Sequence, residues 1–180
     1  MGKVTRSLIQ PQEILNQLDL HNNMKIADFG CGNGYFSIPL AKIVTQGKIF
    51  SLDVIKETLE AVKSRANMEG IKNIEITHCN LEILGSSKLE NESMDLVLLR
   101  NILFQSQKKS DILKEAKRVL KPEGKLVLLE WVPGASLAPN GGWMITKEES
   151  ISLVEAENIL FDKELVLDNQ HYGLVFKNSV

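Results

Sequence analysis

The feature that most limits the fold of this chain is an alternation of short apolar runs with amphipathic segments. Runs such as MDLVLLRN are almost continuously apolar, which is typical of strands buried on both faces of a sheet. The segments between the runs carry apolar residues at helical spacing. The predicted strands are 25–30, 48–54, 73–78, 94–101, 125–132, 163–169 and 171–177. The predicted helices are about 10–20, 36–44, 56–70 and 146–160, with one more that starts near Ser110 and stops at Pro122.

Strand–helix units repeated in this order predict an α/β fold, and the last two strands predict a hairpin. The predicted fold is therefore a Rossmann-like, doubly wound, seven-stranded and mostly parallel sheet. It has a C-terminal antiparallel hairpin and helices on both faces. These elements use almost all of residues 1–180. A single domain without an inserted cap domain is therefore expected.

Composition argues against several classes of protein. The formal net charge is -2 and no basic block is present, so nucleic-acid binding is not indicated. No apolar run has the length of a membrane span. The polar start MGKVTRS is unlike a signal peptide, and Arg6 stands where a myristoylation signal needs Ser or Thr. A cytoplasmic location is therefore predicted.

The two cysteines, Cys31 and Cys79, form neither a CxxC pair nor a Cys/His cluster. Neither a disulfide framework nor a metal site is predicted from them. Cys31 lies within a glycine-rich segment, where a small buried residue fits and an unreactive thiol is expected. A set of cysteines for thiolate or arsenite chemistry is also missing.

The segment ADFGCGNGYFS follows the first predicted strand and opens a helix. A glycine-rich turn at this place lets a ligand approach the backbone. The dinucleotide-binding pattern G-x-G-x-x-G would need glycine at position 35, where Tyr35 stands, so a pyrophosphate site is not predicted. Asp53 ends the second strand, where an acid can bind both ribose hydroxyls; the alternative is a solvated acid at a strand end. The ligand is therefore expected to contain a ribose without a pyrophosphate.

DFGCGNG resembles the first motif, D/E-x-G-x-G-x-G, of the class I S-adenosylmethionine-dependent methyltransferases. SLDV resembles the second, acidic motif of that family, and HCNLE stands where the family has G-D-A-E or a similar sequence. RVLKPEGKLVLLEW resembles the R-x-L-K-P-G-G-x-L run of the broad methyltransferase group that includes the ubiquinone/menaquinone-biosynthesis type. The matches occur in order over residues 10–177.

The resemblance implies S-adenosylmethionine as the cofactor and S-adenosylhomocysteine as its product. It implies that the loop formed by Gly30, Cys31, Gly32 and Gly34 approaches the adenosyl and methionyl parts. It also implies that Asp28 helps to hold the methionine ammonium.

Further along the chain, the resemblance implies that Asp53 accepts from the ribose hydroxyls and Val54 packs on the adenine. Asn80 stands where the family has an aspartate; its side-chain carbonyl can still accept from the adenine amine. The backbone of Leu81 would donate to the ring, and Arg100 would line the methionine end.

Residues for the methyl acceptor are harder to predict, because in-line displacement needs mainly alignment and exclusion of water. The sequence RNILF after the fourth strand lacks the Asn/Asp-Pro-Pro-aromatic signature, which argues against methylation of bases or glutamine side chains. No catalytic residue is assigned. The candidates for contact with a small acceptor, besides Arg100, are Asn101, Gln105, Trp131, Trp143, His171 and Tyr172.

Each of these candidates has a structural alternative. Trp131 has the pattern of a core aromatic, whereas Trp143 lies in the irregular loop 133–146 and fits a covering loop. For His171, a satisfied structural role is the alternative to catalysis. Completion of the site by a second copy of the chain, as a homodimer, is left open.

Two other functions fit parts of the sequence. A cofactor-binding partner that activates another methyltransferase, without turnover of its own, would carry the same core motifs. A nicotinamide-dependent oxidoreductase is disfavoured by the early third glycine and by the lack of a Tyr-x-x-x-Lys pair.

Overall fold

The computed structural model describes residues 9–179. The N-terminal features noted above, MGKVTRS and Arg6, lie outside the described residues. The strands are β1 (Lys25–Phe29), β2 (Lys48–Asp53), β3 (Ile74–His78), β4 (Met94–Arg100), β5 (Leu120–Trp131), β6 (Ile159–Leu165) and β7 (His171–Asn178). The helices are α1 (Pro11–Leu15), α2 (Ser37–Ile43), α3 (Lys56–Met68), α4 (Lys109–Val119) and α5 (Lys147–Glu155), with a 3₁₀ turn at Leu103–Gln105.

The strands form one seven-stranded sheet in the order β3-β2-β1-β4-β5-β7-β6. The first five strands are parallel to one another, and β7 is antiparallel to both β5 and β6. The predicted fold class is confirmed, including the antiparallel hairpin at the C-terminus.

Both faces of the central strands are buried, which explains why β1 and β4 are apolar without alternation. In β4, Leu96 and Leu98 pack in one cluster with Leu40 of α2. Val97 and Leu99 point the other way and pack in a second cluster with Leu113 of α4. The chain therefore has helices on both sides of the sheet, as predicted.

The order of the strands creates a crevice at one edge of the sheet. The chain runs from β1 outward to β2 and β3, then returns to place β4 on the other side of β1. The loops that leave β1 and β4 diverge at this switch point, where open α/β sheets bind ligands. The glycine-rich segment after β1 lies at this crevice.

Two helices end earlier than the sequence predicts. The predicted helix 10–20 stops at Leu15. The side chain of Gln17 is instead bonded to both backbone groups of Val166, at 3.0 and 2.8 Å. The fourth helix ends at Val119 and the chain continues into β5 at Leu120. Pro122 lies within this strand segment and does not end the helix.

The last helix also ends early. The capping box of Thr146 and Glu149 is confirmed at its start. The helix stops at Glu155, because Asn158 adopts a left-handed conformation (φ 57°) and the chain enters β6 at Ile159. The first strand of the hairpin therefore occupies Ile159–Leu165 and not 163–169. Within residues 9–179, no helix has the length and apolar character needed to cross a bilayer.

Candidate active site

A cavity of about 400 Å³ opens at the C-terminal ends of β1, β2 and β4. Its volume is within the usual range for small-molecule and cofactor sites. The predicted site residues that line it are Gly30, Gly32, Asp53, Val54, Asn80, Leu81, Arg100, Asn101 and Gln105. The predicted residues that do not line it are Asp28, Cys31, Gly34, Trp131, Trp143, His171 and Tyr172.

The three glycines of the loop after β1 all have positive φ, but for different reasons. A Cβ on Gly30 would lie 2.8 Å from Cδ1 of Ile102, so this glycine permits close packing. A Cβ on Gly34 would meet Val62 of α3 at 3.1 Å. At Gly32 a Cβ would meet nothing within 4 Å. Gly32 is therefore the one of the three whose open side faces the cavity.

Asp53 is fixed at the edge of the cavity by the loop that follows β1. One carboxylate oxygen accepts from the backbone N–H of Gly32 at 2.9 Å, and the other accepts from that of Ile55 at 2.9 Å. The backbone N–H of Gly30 donates to Leu52 O at 2.8 Å, which ties the loop to β2. Each carboxylate oxygen can accept more than one hydrogen bond. Asp53 is therefore a pre-oriented acceptor for two neighbouring hydroxyl groups.

Asp28 lies behind the cavity and is buried. The hydroxyl of Ser37 donates to its carboxylate at 2.5 Å, and Ser51 donates to Ser37 at 2.8 Å. Burial raises the pKa of Asp28 to about 6, although Ser37 and the charge of Arg100 lower it. A cation placed above Asp28 would favour its ionised form.

Asn80 begins the loop at the other end of the cavity. Its side-chain carbonyl accepts from the backbone N–H of Glu82 at 3.0 Å, and its backbone carbonyl accepts from Ser86 Oγ at 2.5 Å. The side chain therefore caps a turn, and one lone pair of its oxygen remains for a ligand.

Glu115 of α4 holds the loop that begins at Asn80. This residue was not identified in the sequence analysis. Its fully buried carboxylate accepts from the backbone N–H groups of Gly85 at 2.7 Å and Ser87 at 3.2 Å, and pairs with Arg118 at 2.7 Å. Burial alone would raise the pKa of Glu115, but these hydrogen bonds outweigh it and lower the pKa to about 2. The available signal was an acid within the apolar stripe of this helix.

Arg100 lies at the end of β4 between the cavity and two aromatic rings. Its guanidinium carbon is 4.9 Å from the centre of the Tyr35 ring and 5.8 Å from that of Phe36. Desolvation lowers the pKa of Arg100, and the nearby Tyr35, Asp28 and Glu130 raise it. Cation–π contacts and nearby acids therefore hold a positive charge at this end of the cavity.

Four side-chain atoms of the described residues are buried without a hydrogen-bond partner. They are Arg100 Nε, Asn101 Oδ1, Glu130 Oε2 and His171 Nε2. All four come from the ends of β4 and β5 and from the start of β7, at the same edge of the sheet. A buried unpaired polar atom costs about 1–3 kcal/mol. Two of the four, Arg100 Nε and Asn101 Oδ1, belong to residues that line the cavity, which favours a ligand at this end of it.

Glu130 was also missed by the sequence analysis, although it is an acid inside the apolar run KLVLLEWV. One of its oxygens accepts from the backbone N–H of Leu103 at 2.7 Å and so holds the 3₁₀ turn beside the cavity. Burial raises the pKa of Glu130 to about 7, although hydrogen bonds from Leu103 and its neighbours and the charge of Lys109 lower it.

Glu130→Gln is expected to flatten the dependence of stability on pH. Because the folded-state pKa is raised from 4.5 to about 7, the protonated acid stabilises the fold fully below pH 4.5. This contribution is lost as the pH rises through 7, up to about 3 kcal/mol. The variant should therefore be more stable than the wild type above pH 7 and similar to it near pH 4.5. Urea unfolding of both proteins across this pH range measures the difference in the free energy of unfolding. A difference that did not change with pH would contradict the prediction.

The remaining predicted acceptor residues have contacts outside the cavity. Tyr172 donates its hydroxyl to Ile145 O at 3.0 Å and contacts Ser150 at 2.7 Å, which joins the start of α5 to the sheet. The backbone N–H of Trp143 donates to Phe104 O at 2.7 Å, so the loop 133–146 is docked on the 3₁₀ turn.

Comparison with known proteins identifies the family. Residues 20–175 match the family described as "Methyltransferase domain". A demethylmenaquinone methyltransferase of Bacillus cereus (strain ATCC 10987 / NRS 248) is 31% identical over 120 residues, which are 66% of this chain and 49% of that protein. An arsenite methyltransferase of Aquipseudomonas alcaligenes is 30% identical over 112 residues, 59% of this chain and 32% of that protein. The chain thus spans half or less of the length of these relatives.

A solved structure shows the same fold. The chain superimposes on a SAM-dependent methyltransferase from Aquifex aeolicus with a TM-score of 0.86 and 22% identity, covering 95% of this chain and 90% of that one. The family match extends over most of the chain. The chain therefore belongs to the class I S-adenosylmethionine-dependent methyltransferases, and its cofactor is S-adenosylmethionine.

The cavity fits this cofactor. Asp53 offers two oriented oxygens, which suit the two neighbouring hydroxyls of a ribose, and the open side of Gly32 leaves space beside them. Among the described residues that line the cavity, Arg100 is the one with a positive charge, and its guanidinium lies against the rings of Tyr35 and Phe36, which follow the glycine loop.

Proposed function

We propose that this chain transfers a methyl group from S-adenosylmethionine to a small-molecule acceptor. The observation that supports this most directly is Asp53, whose two oxygens are fixed at the edge of the cavity by Gly32 and Ile55. When bound, the cofactor supplies a methyl group activated by a sulfonium. The remaining work for the protein is to orient the two reactants and to exclude water.

Different residues around the cavity would bind different parts of the cofactor. Asp53 accepts from the ribose hydroxyls, and the exposed side chain of Val54 packs on the adenine. At the adenine edge, the free lone pair of Asn80 accepts from the amine and the backbone of Leu81 donates to the ring.

At the methionine end of the cavity, Asp28 and Arg100 would interact with the charged groups of the methionine part. Asp28 favours the ammonium, because a cation above it stabilises the ionised carboxylate. Cys31 has a structural part in this arrangement, since its thiol contacts Gly32 O at 3.5 Å within the loop.

A small acceptor is supported by the size of the site. Among residues 9–179, loops near Asn101 and Gln105 line the cavity and would contact the acceptor, and a second copy of the chain would complete the site if it dimerises. The relatives are named for demethylmenaquinone and arsenite. Thiolate chemistry toward arsenite is disfavoured, because Cys31 and Cys79 are buried and burial raises the pKa of both thiols, that of Cys79 to about 11.

The proposal predicts selective binding of the adenosyl product. Calorimetry should show binding of S-adenosylhomocysteine and none of NAD, and transfer of a labelled methyl group should follow once an acceptor is supplied. A preference for NAD would favour the oxidoreductase instead. Binding of S-adenosylhomocysteine without transfer to any acceptor would favour the non-catalytic partner.

A pair of glycine variants tests the place of binding. Gly32 (φ 51°) and Gly70 (φ 67°) both have open space around a Cβ, but only Gly32 lines the cavity. Gly32→Leu and Gly70→Leu should therefore lower the melting temperature similarly. Only Gly32→Leu should weaken S-adenosylhomocysteine binding, by about tenfold or more, because its side chain fills the site. Equal affinities of the two variants for S-adenosylhomocysteine would mean that the ligand does not bind beside Gly32.

A further inference from the structure

His171 has one ring nitrogen bound and one free. Its Nδ1 lies 3.2 Å from Asp168 Oδ1 and donates to it, because a carboxylate can only accept. Its Nε2 is buried without a partner and in this tautomer carries a lone pair. Asp168 also accepts from the backbone N–H groups of Gln170 at 2.9 Å and of His171 at 3.0 Å, which fixes the carboxylate that orients the ring.

The surroundings of His171 favour the neutral ring. Burial lowers its pKa, Asp168 raises it, and the charge of Arg100 lowers it further, so the net direction is downward from 6.5. Glu164 of β6 lines the same groove and is bound by Lys147 at 3.0 Å. A neutral imidazole with a free lone pair can accept a proton at neutral pH.

The sheet places His171 on the same face as Arg100. Arg100 pairs with Leu129 in the neighbouring strand, and Trp131 lies two residues further on the same face of β5. Trp131 pairs in turn with His171, and their rings are 3.9 Å apart. Arg100 therefore lines the cofactor cavity and also acts on the ring of His171.

A second cavity, beside β6 and β7, reaches His171. This β6–β7 groove, of about 380 Å³, is lined by Glu164–Asp168, His171 and Tyr172. Val166, at 82% exposure, lies at the surface of the groove. The side chain of Gln17 binds both backbone groups of Val166 and so holds this wall in place.

We propose that the methyl acceptor enters through the β6–β7 groove and that His171 takes the proton from its hydroxyl group. This inference rests on the proposed function. In-line displacement requires the acceptor to approach the methyl group from the side opposite the sulfur, so cofactor and acceptor need separate entrances. The cofactor cavity, which Arg100 lines, and the groove, which His171 lines, would be these two entrances, and the charge of Arg100 acts on the ring of His171.

The proton and electron balance of this step is simple. The hydroxyl oxygen forms a bond to the methyl carbon, the carbon–sulfur bond breaks, and its electron pair stays on sulfur. The hydroxyl proton goes to His171 Nε2, and the charge of Arg100 stabilises the negative charge that develops on oxygen. A hydroxyl acceptor fits these residues because it is the acceptor that must lose a proton and gains from a nearby cation.

The test uses 4-nitrophenol, whose ionised form is coloured, with the chain saturated by S-adenosylhomocysteine. In the wild type, bound 4-nitrophenol should ionise at lower pH than free 4-nitrophenol, and ¹⁵N NMR should show protonation of His171 Nε2. With S-adenosylmethionine instead, His171→Gln should lower methyl transfer to 4-nitrophenol by about a hundredfold or more. It should leave S-adenosylhomocysteine affinity unchanged.

Two control variants make the result specific. His21→Gln removes an exposed histidine that also faces an aspartate, Asp19 at 3.7 Å, and should change nothing. Val166→Trp should weaken 4-nitrophenol binding by narrowing the groove, whereas Met68→Trp, at a similarly exposed position on α3, should not.

The outcomes separate the two proposals. Two results overturn the assignment of His171. In the first, the wild type binds S-adenosylhomocysteine normally, but 4-nitrophenol does not shift the ¹⁵N signals of His171. In the second, bound 4-nitrophenol ionises at the same pH in His171→Gln as in the wild type. Failure of the wild type to bind S-adenosylhomocysteine overturns the proposed function itself. Unchanged 4-nitrophenol affinity in Val166→Trp overturns the entrance through the groove.

Discussion

Asp53→Ala is expected to weaken the binding of S-adenosylhomocysteine by about a hundredfold. The change removes two hydrogen bonds between a carboxylate and the ribose hydroxyls, each worth about 1.5–3 kcal/mol. Asp53 is only 8% exposed and both of its oxygens are already oriented by Gly32 and Ile55, so little freedom is lost when a ribose binds. Calorimetric titration of the wild type and the variant measures the effect.

The same structure predicts a second consequence of this change. The backbone N–H groups of Gly32 and Ile55 lose their acceptor, so the melting temperature of the ligand-free variant should also fall. Affinity must therefore be measured well below the melting temperature of the variant.

Asp95→Ala is the matched control for Asp53. Asp95 is also an acid in a buried strand; it accepts from the backbone N–H of Lys25 at 2.7 Å and pairs with Lys121 at 2.6 Å. It lies near the start of β4, at the opposite edge of the sheet. Asp95→Ala should lower stability without changing the affinity. If Asp53→Ala bound S-adenosylhomocysteine as tightly as the wild type, the ribose would have to be bound by other residues.

Glu115→Ala is expected to lower the free energy of unfolding by about 3–5 kcal/mol. The change leaves the side chain of Arg118 without its carboxylate and leaves two backbone N–H groups, those of the exposed Gly85 and the buried Ser87, without this acceptor. The loop that they hold begins at Asn80, at the adenine end of the cavity, so affinity for S-adenosylhomocysteine should also fall. Urea unfolding and calorimetry measure the two effects.

The stabilising effect of Glu115 should depend on pH. Because its folded-state pKa is lowered from 4.5 to about 2, its contribution is complete above pH 4.5 and is lost as the pH falls toward 2. The difference in stability between wild type and Glu115→Ala should therefore shrink over this range. A difference that stayed constant down to pH 2 would show that the carboxylate is not the source of the stability.

Asp111→Ala provides the comparison on the same helix. Asp111 forms an exposed ion pair with Lys114 at 3.7 Å, and such pairs contribute little. Its removal should change the free energy of unfolding by no more than about 0.5 kcal/mol. A loss as large as that of Glu115→Ala would mean that the helix itself, and not the buried carboxylate, is sensitive to change.

The order of the strands and helices could be predicted from the sequence, and so could the position of the glycine segment and Asp53 at the cavity. Apolar periodicity depends on neighbouring residues, so the parallel strands and the last strand could be predicted from it, whereas the first strand of the hairpin was placed four residues too late. The glycine segment and Asp53 were recognisable for a related reason: each follows a strand directly, and parallel strands bring their ends to one edge. The family resemblance, confirmed by comparison, supplied the identity of the cofactor.

Where several elements end, and which polar groups lie beside the cavity, depends on contacts that form only in the folded chain. Helix α1 stops at Leu15 while Gln17 binds Val166, a residue far away in the chain. Glu115 and Glu130 are acids within apolar segments of the sequence, but their roles could not be predicted, because their partners, such as Gly85 and Leu103, are brought to them only by folding. The free Nε2 of His171 and the groove beside it likewise exist only when β5, β6 and β7 are assembled. Contacts between distant residues leave no local periodicity, and this is why the sequence did not show them.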